Sequence, residues 1–240
     1  LGGDRGAPSG VTKEDADRMN QPISDGTPEN DQRVHAFSAI TSVRIETLTD
    51  GVFAIVVTLL VFDIRVPGAD LVAERGLAEA LTSVIPNLLG YVLSFLILGV
   101  LWVGHHNQFF YIRRTDRTLL WINIFFMMAV ALLPFSAGLL ARYGTLDRLA
   151  LILYDLNLTI AGLVLFVHWW YATRDNHLLN QEIEPRVRRM VVVRVLIPPM
   201  LYAAAVLVSL LSLDIALAIN VIVPLLYILP NRVDAFFRRI

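Results

Sequence analysis

A few residues in this chain carry side chains capable of chemistry in an otherwise apolar setting: Asp50, Trp102, His105, His106 and Asn123, with Arg44 close by. An acid beside imidazoles is the material of a proton relay, because histidine changes charge near neutral pH. Two histidines and an acid are also raw material for a metal site. His105 and His106 are adjacent, however, and neighbouring side chains on a helix point about 100° apart, so one metal site is hard to build from both. The economical reading is an interhelical hydrogen-bond network in which an indole N–H, an amide and imidazoles satisfy the Asp50 carboxylate. Relay, metal and network all stay open at this level. Other chemistry is missing. There is no cysteine, hence no thiolate ligand, thiol nucleophile or disulfide. No G-x-S-x-G turn, H-E-x-x-H helix or phosphate-cradling glycine loop occurs, so no enzyme constellation and no cofactor motif stands out. The carbonyl filter T-V-G-Y-G is absent too, Leu89-Gly90-Tyr91-Val92 being the nearest string.

The elements that must position these residues are membrane helices. The chain is 56% hydrophobic, with a mean hydropathy of +0.61, and its apolar residues come in long blocks. A net charge of −1 gives no reason to expect a nucleic-acid partner. Six blocks are long enough to cross about 30 Å of hydrocarbon as helices: Ile45–Ile64, Val84–Gly104, Leu119–Ala141, Leu149–Tyr171, Met190–Leu211 and Leu213–Leu229. The expected fold class is therefore an all-α membrane protein with six transmembrane helices. Fifteen of the 20 Lys and Arg lie in the two ends, the second-to-third loop and the fourth-to-fifth loop, against four in the alternate loops. That asymmetry places both termini in the cytoplasm. Residues 1–43 are polar, without the apolar core of a signal peptide, and read as a disordered cytoplasmic tail, with helix setting in over His35–Val43. Residues 44–240 form the transmembrane domain. A short amphipathic surface helix is expected between the first two spans, and Pro134, Pro198, Pro199 and Pro224 are expected to kink theirs.

With this orientation Asp50, Trp102, His105, His106 and Asn123 fall at one depth near the cytoplasmic ends of the first three helices, with Arg44 at the edge. His168 reads as interfacial. Asp155 and Asn157 read as lying near the outer end of the fourth helix, close to water, and Arg194 and Asn220 are further buried polar candidates. The first helix has two apolar faces. At 100° per residue Leu48, Ile55, Leu59 and Phe62 fall within about 60° of one another, with Thr58 beside them and Asp50, Phe53 and Val57 nearly opposite. A carboxylate in hydrocarbon is costly, so the Asp50 face is expected to press on helices of its own subunit. That leaves the Ile55 face free. Taken alone, such a stripe reads as ordinary lipid-facing or packing surface.

Arg44-x-x-x-Leu48-Thr49-Asp50, followed by Gly51-Val52-Phe53-Ala54-Ile55 and Thr58-Leu59-Leu60, resembles the signature of the transmembrane protein 175 family, with Leu48 for the usual Phe and Thr49 for the usual Ser. Trp102, His105 and His106 resemble the Trp-x-x-His-His string of the family's second helix. The resemblance implies a potassium-permeable cation channel in a bacterial-type plasma membrane, a homotetramer of six-helix subunits with the first helix lining the pore. It implies constriction by apolar rings at Ile55, Leu59 and Phe62, a hydroxyl layer at Thr58, and a structural network of Arg44, Asp50, Trp102, His105, His106 and Asn123. Implied partners are further copies of the chain, membrane lipid and permeant monovalent cations, with potassium passing through and no cofactor, metal or nucleic acid. A proton-coupled or other secondary transporter is the alternative, although no internal repeat supports it.

Overall fold

The computed structural model describes residues 28–176, 178–179 and 183–228, with side chains from Ser42 onward. The chain divides into two units, Leu1–Phe37 and Ser38–Ile240, and every side-chain contact that follows lies in the second. Helix α1 runs over Pro28–Leu59 and tightens into a 3-10 turn at Leu60–Asp63. Proline suits a first helical position, where its missing N–H would have had no partner anyway. Helix is expected to set in at His35 and begins at Pro28 instead, so residues 28–34 of the expected disordered tail are helical; residues 1–27 lie outside the described part. Two short helices follow, α2 (Ala69–Arg75) and α3 (Leu77–Thr82), where one surface helix is expected. Gly76 separates them at φ 79°, a left-handed conformation that glycine takes without strain.

Helix α4 (Ile85–Tyr111) and the broken pair α5 (Arg117–Ala131) and α6 (Leu133–Tyr143) form the next two apolar spans. The break has a chemical cause. Pro134 lacks an N–H and cannot donate to the Val130 carbonyl, and the chain gives up the regular ladder around it. The Asn157 amide enters the gap from the facing helix. Oriented with its nitrogen 3.0 Å from Ala129 O, it presents its oxygen 3.0 Å from Ser136 Oγ and 3.3 Å from Leu133 N. One side chain thereby bridges the carbonyl and the N–H that an unbroken helix would have joined directly.

Helix α7 (Arg148–Arg174), capped by Asp147 accepting from Leu149 N at 2.9 Å, is the hub of the unit. It packs on α4, α5, α6 and on α8 (Pro185–Ser209), which pairs in turn with α9 (Leu213–Ile228). Leu151, Tyr154, Leu158, Leu165 and Trp169 of α7 are all buried. The core joins the first four of these to Phe53, Val56 and Leu60 of the first membrane helix and to Phe126 and Val130 of α5. Where α7 crosses α8, Gly162 lies so close to Pro199 that a Cβ would sit 2.9 Å from the ring. Among the described residues five helical segments are long and apolar enough to cross a membrane, beginning with Ser42–Asp63; α9, at 16 residues, is shorter. The chain is a multi-pass integral membrane protein.

Three substitutions test this packing through thermal unfolding in detergent. Gly162→Ala is expected to destabilise by about 1–3 kcal/mol, because the proline ring opposite cannot yield. Gly99→Ala, with nothing within 4 Å of the added carbon, should be neutral or stabilising by up to about 1 kcal/mol. Asn157→Leu should cost about 1–3 kcal/mol by stranding the polar groups at the α5–α6 break.

Candidate functional site

The first membrane helix is buried on one side and open on the other. Thr49, Phe53, Val56 and Leu60 are buried, while Ile55 is 61% exposed, Leu59 43% and Phe62 75%. The 3-10 turn bears on Phe62. In that geometry positions i and i+3 eclipse, so Phe62 continues the line of Leu59 along the open face. Thr58 is exposed beside them, its hydroxyl donating to Ile55 O at 2.7 Å. The donor is spent on the helix, and the oxygen lone pairs remain for something outside it.

The polar residues behind this helix form two arrangements where the sequence suggests one layer. The first is a half-exposed ladder between α1 and α4, built from two i,i+4 pairs facing each other. Trp102 Nε1 donates to Asp50 Oδ1 at 2.9 Å, and His106 Nδ1 lies 3.1 Å from Glu46 Oε1. The Trp102 and His106 rings stack, with centroids 5.6 Å apart and planes 18° apart. The second is a fully buried chain. His105 Nε2 lies 2.9 Å from Asn123 Oδ1, Asn123 Nδ2 donates to Thr49 Oγ1 at 2.9 Å, and Thr49 Oγ1 donates to Ile45 O at 2.9 Å. An amide oxygen only accepts, so His105 carries its proton on Nε2 and every donor in the chain points toward α1. His105 also stacks on Phe126, with centroids 5.3 Å apart and planes 7° apart.

Asp50 therefore finds its partner in Trp102, and the adjacent histidines divide between the two arrangements. Arg44 is exposed and makes no hydrogen bond or ion pair with a described residue. Among the described residues no group of three His, Asp or Glu side chains is placed to hold a metal.

Three expectations need correcting. His168 is fully buried instead of interfacial: its Nδ1 donates to Gln108 Oε1 at 2.7 Å, Gln108 Nε2 donates to Leu165 O at 3.1 Å, and its ring lies 5.6 Å from that of His105. Asp155 and Asn157 are away from water, 0% and 5% exposed. Thr49, Glu46 and Gln108 were not singled out as network members. Their signal was positional: Thr49 is adjacent to Asp50, Glu46 is four residues before it, and Gln108 is three after His105.

Comparison with known proteins locates this geometry in a family. A family model described as the endosomal/lysosomal potassium channel TMEM175 matches residues 44–134, from Arg44 through the break between α5 and α6. A potassium channel of Streptomyces collinus is 36% identical over 189 residues, 78% of this chain and 91% of its own length. The human endosomal/lysosomal proton channel TMEM175 is 37% identical over 103 residues, 40% of this chain and 20% of its own. The crystal structure of a lysosomal potassium-selective channel TMEM175 homolog from Chamaesiphon minutus superposes with a TM-score of 0.70 at 30% identity, covering 78% of this chain and 96% of that one. These are channels by name, not enzymes. With that identity spread over nearly the whole of a relative, and with the fold shared as well, the chain belongs to the TMEM175 family.

Proposed function

We propose that four copies of this chain form a potassium-permeable cation channel in a plasma membrane of bacterial type. Each subunit contributes six spans with both termini cytoplasmic, α9 serving as the sixth, and each first membrane helix lines a central pore. Ile55 forms the main apolar ring, Leu59 and Phe62 form rings beyond it, and Thr58 supplies a layer of hydroxyl oxygens. Arg44, Asp50, Trp102, His105, His106 and Asn123 hold the helix in place. The observation that carries this reading is the two-faced first helix: Phe53, Val56 and Leu60 pack into their own subunit while Ile55, Leu59 and Phe62 are left uncovered. The names of the bacterial relatives add the permeant ion.

The physics of the site is that of a hydrophobic constriction. A narrow ring of aliphatic side chains resists wetting, so ions cross when the ring widens enough to admit water. The ring discriminates by the cost of stripping hydration, and potassium sheds water more readily than sodium. Thr58 oxygens beside the ring offer partial replacement for that lost water. The name of the animal relatives adds protons as a second candidate permeant ion, and the flux measurement below tests both when paired with a pH-sensitive dye.

Reconstitution in liposomes with a potassium gradient is expected to give fast passive flux. Ile55→Asn should raise flux severalfold and flatten the preference for potassium over sodium, and Leu59→Ala should do so to a smaller degree. Flux and selectivity unaltered by both changes would return the stripe to the lipid. The buried chain behind the helix is tested by a double-mutant cycle in thermal unfolding. Thr49→Val and Asn123→Leu should each cost about 1–3 kcal/mol. The double variant should cost less than their sum by about 0.5–3 kcal/mol, since the second change removes a partner already stranded by the first.

A further inference from the structure

Away from the first helix, α4, α7, α8 and α9 enclose a cavity of about 630 Å³, a volume typical of small-molecule sites. Its long walls are helix faces. Val100, Gly104 and Asn107 line it from α4 at i, i+4 and i+7, and Val191, Val195 and Pro198 line it from α8 at the same spacing. Along α4 the lining runs from Phe95 to Tyr111, sixteen residues or about 24 Å. A volume of this size drawn out over that length is a slot, with the proportions of an extended hydrocarbon chain. Exposed lining residues, Phe95 and Val103 on α4 and Ile228 on α9, open it sideways out of the bundle.

The lining is largely apolar but bears one charge, Arg194, and no Asp or Glu lies among its described residues. Tyr227 of α9 holds that arginine in place. Its hydroxyl donates to Arg194 O at 2.6 Å, and the guanidinium stands over its ring, 5.8 Å from the centroid. A ring face takes none of the five N–H donors of a guanidinium. Asn107, exposed four residues before the end of α4, makes no hydrogen bond with a described residue. The end of α4 and the connection leading into α8 lie together, since Arg113 N and Arg114 N both donate to Leu178 O, at 3.0 and 3.1 Å. An arginine within a span is costly against hydrocarbon, and an empty apolar slot forfeits the contacts of its walls. An anionic head on a hydrocarbon tail relieves both. A guanidinium matches phosphate oxygens, and basic pockets between membrane helices on the cytoplasmic side take anionic lipid heads. This end is the cytoplasmic one in the orientation proposed above. We propose that the cavity holds an acyl chain of one anionic glycerophospholipid, whose phosphate meets Arg194 and whose remaining head oxygens accept from Asn107. Phosphate and ester oxygens of such a head stand several bonds apart, so the two donors need not converge on one atom.

The full chain, purified in detergent, is titrated with phosphatidylglycerol and with phosphatidylcholine of the same acyl chains, and the lipid retained per subunit is read by native mass spectrometry. Phosphatidylglycerol is expected to saturate at one molecule per subunit, with about tenfold preference over phosphatidylcholine. Arg194→Gln should bring the two lipids level. Val100→Trp, which extends a side chain from the α4 wall into the slot, should cut retention of both about tenfold, and it reads the site independently should Arg194→Gln fail to fold. Arg186→Gln with Arg189→Gln, exposed in the first turns of α8, should keep the preference. Ile55→Asn should keep it too, so the outcome does not depend on the pore assignment. Equal retention of the two lipids by the unaltered chain overturns the proposal, by making the slot a bed for any acyl chain. A preference that survives Arg194→Gln, or that is lost with Arg186 and Arg189 instead, overturns it by placing the head on the surface. So does full retention in Val100→Trp, which would put the tail elsewhere, and so does a chain that retains neither lipid.

Discussion

The hydrogen-bonded chain from His105 through Asn123 to Thr49 fixes the rotation of the first membrane helix about its own axis, and the remaining features of the candidate site depend on that rotation. Apolar packing alone holds such a helix weakly in angle, because hydrocarbon outside is as apolar as the subunit inside. A threonine hydroxyl and an amide that meet nowhere else hold it firmly. Turning the helix by one residue, about 100°, would pull Thr49 from Asn123 and strand an amide in the core. It would also carry Ile55 and Leu59 away from their present open side. The polar contact thus decides which apolar face is presented outward, although it touches none of the residues on that face.

The rigidity behind this contact comes from α7. Asn123 is on α5, and α5 and α6 lean on α7, which also carries Asn157 into the break between them. The break lets α6 approach the end of the first helix, where a Cβ on Gly138 would lie 2.8 Å from Asp63 Oδ1. On the opposite flank the contact of Gly162 with Pro199 draws α8 in close. A proline that would weaken a helix in water here serves packing, because a neighbouring side chain re-satisfies the freed backbone at one site and a glycine accepts the ring at the other.

Much of this was legible in the sequence. Long apolar blocks gave the five spans that the described helices contain. Comparing depth along each helix brought Trp102 to the level of Asp50 and Asn123 to the level of His105. What depth could not give was the angle of one helix against another, which is set by contacts such as those of α1, between residues 52 to 74 positions apart. The polar layer therefore reads as one network in the sequence and separates into a buried chain and a half-exposed ladder in the structure. The same ignorance of angle hid His168: near a helix end it looks interfacial, yet its face of α7 turns inward onto Gln108 and Phe109. Asp155 looked close to water for a similar reason, since a position seven residues into a helix says nothing about which face the neighbouring helices cover. The 3-10 tightening at Leu60 is also invisible in residue types, but it leaves the alignment of Phe62 with Leu59 intact.

The half-exposed ladder bears on assembly. Asp50 and Glu46 are incompletely covered within the subunit, and Trp102 is 39% exposed. Asp50 lies eight residues past Ser42, about 12 Å along the membrane segment. Uncovered carboxylates at such depth are expensive against lipid, but much less so against a water-filled axis or the polar edge of a neighbouring subunit. Because Asp50 points nearly opposite the Ile55 stripe, the axis itself is not its destination. The carboxylates line the seam between α1 and α4. Under the proposed assembly, a neighbour that relieved these carboxylates would lie beside the same helix that bears the apolar stripe.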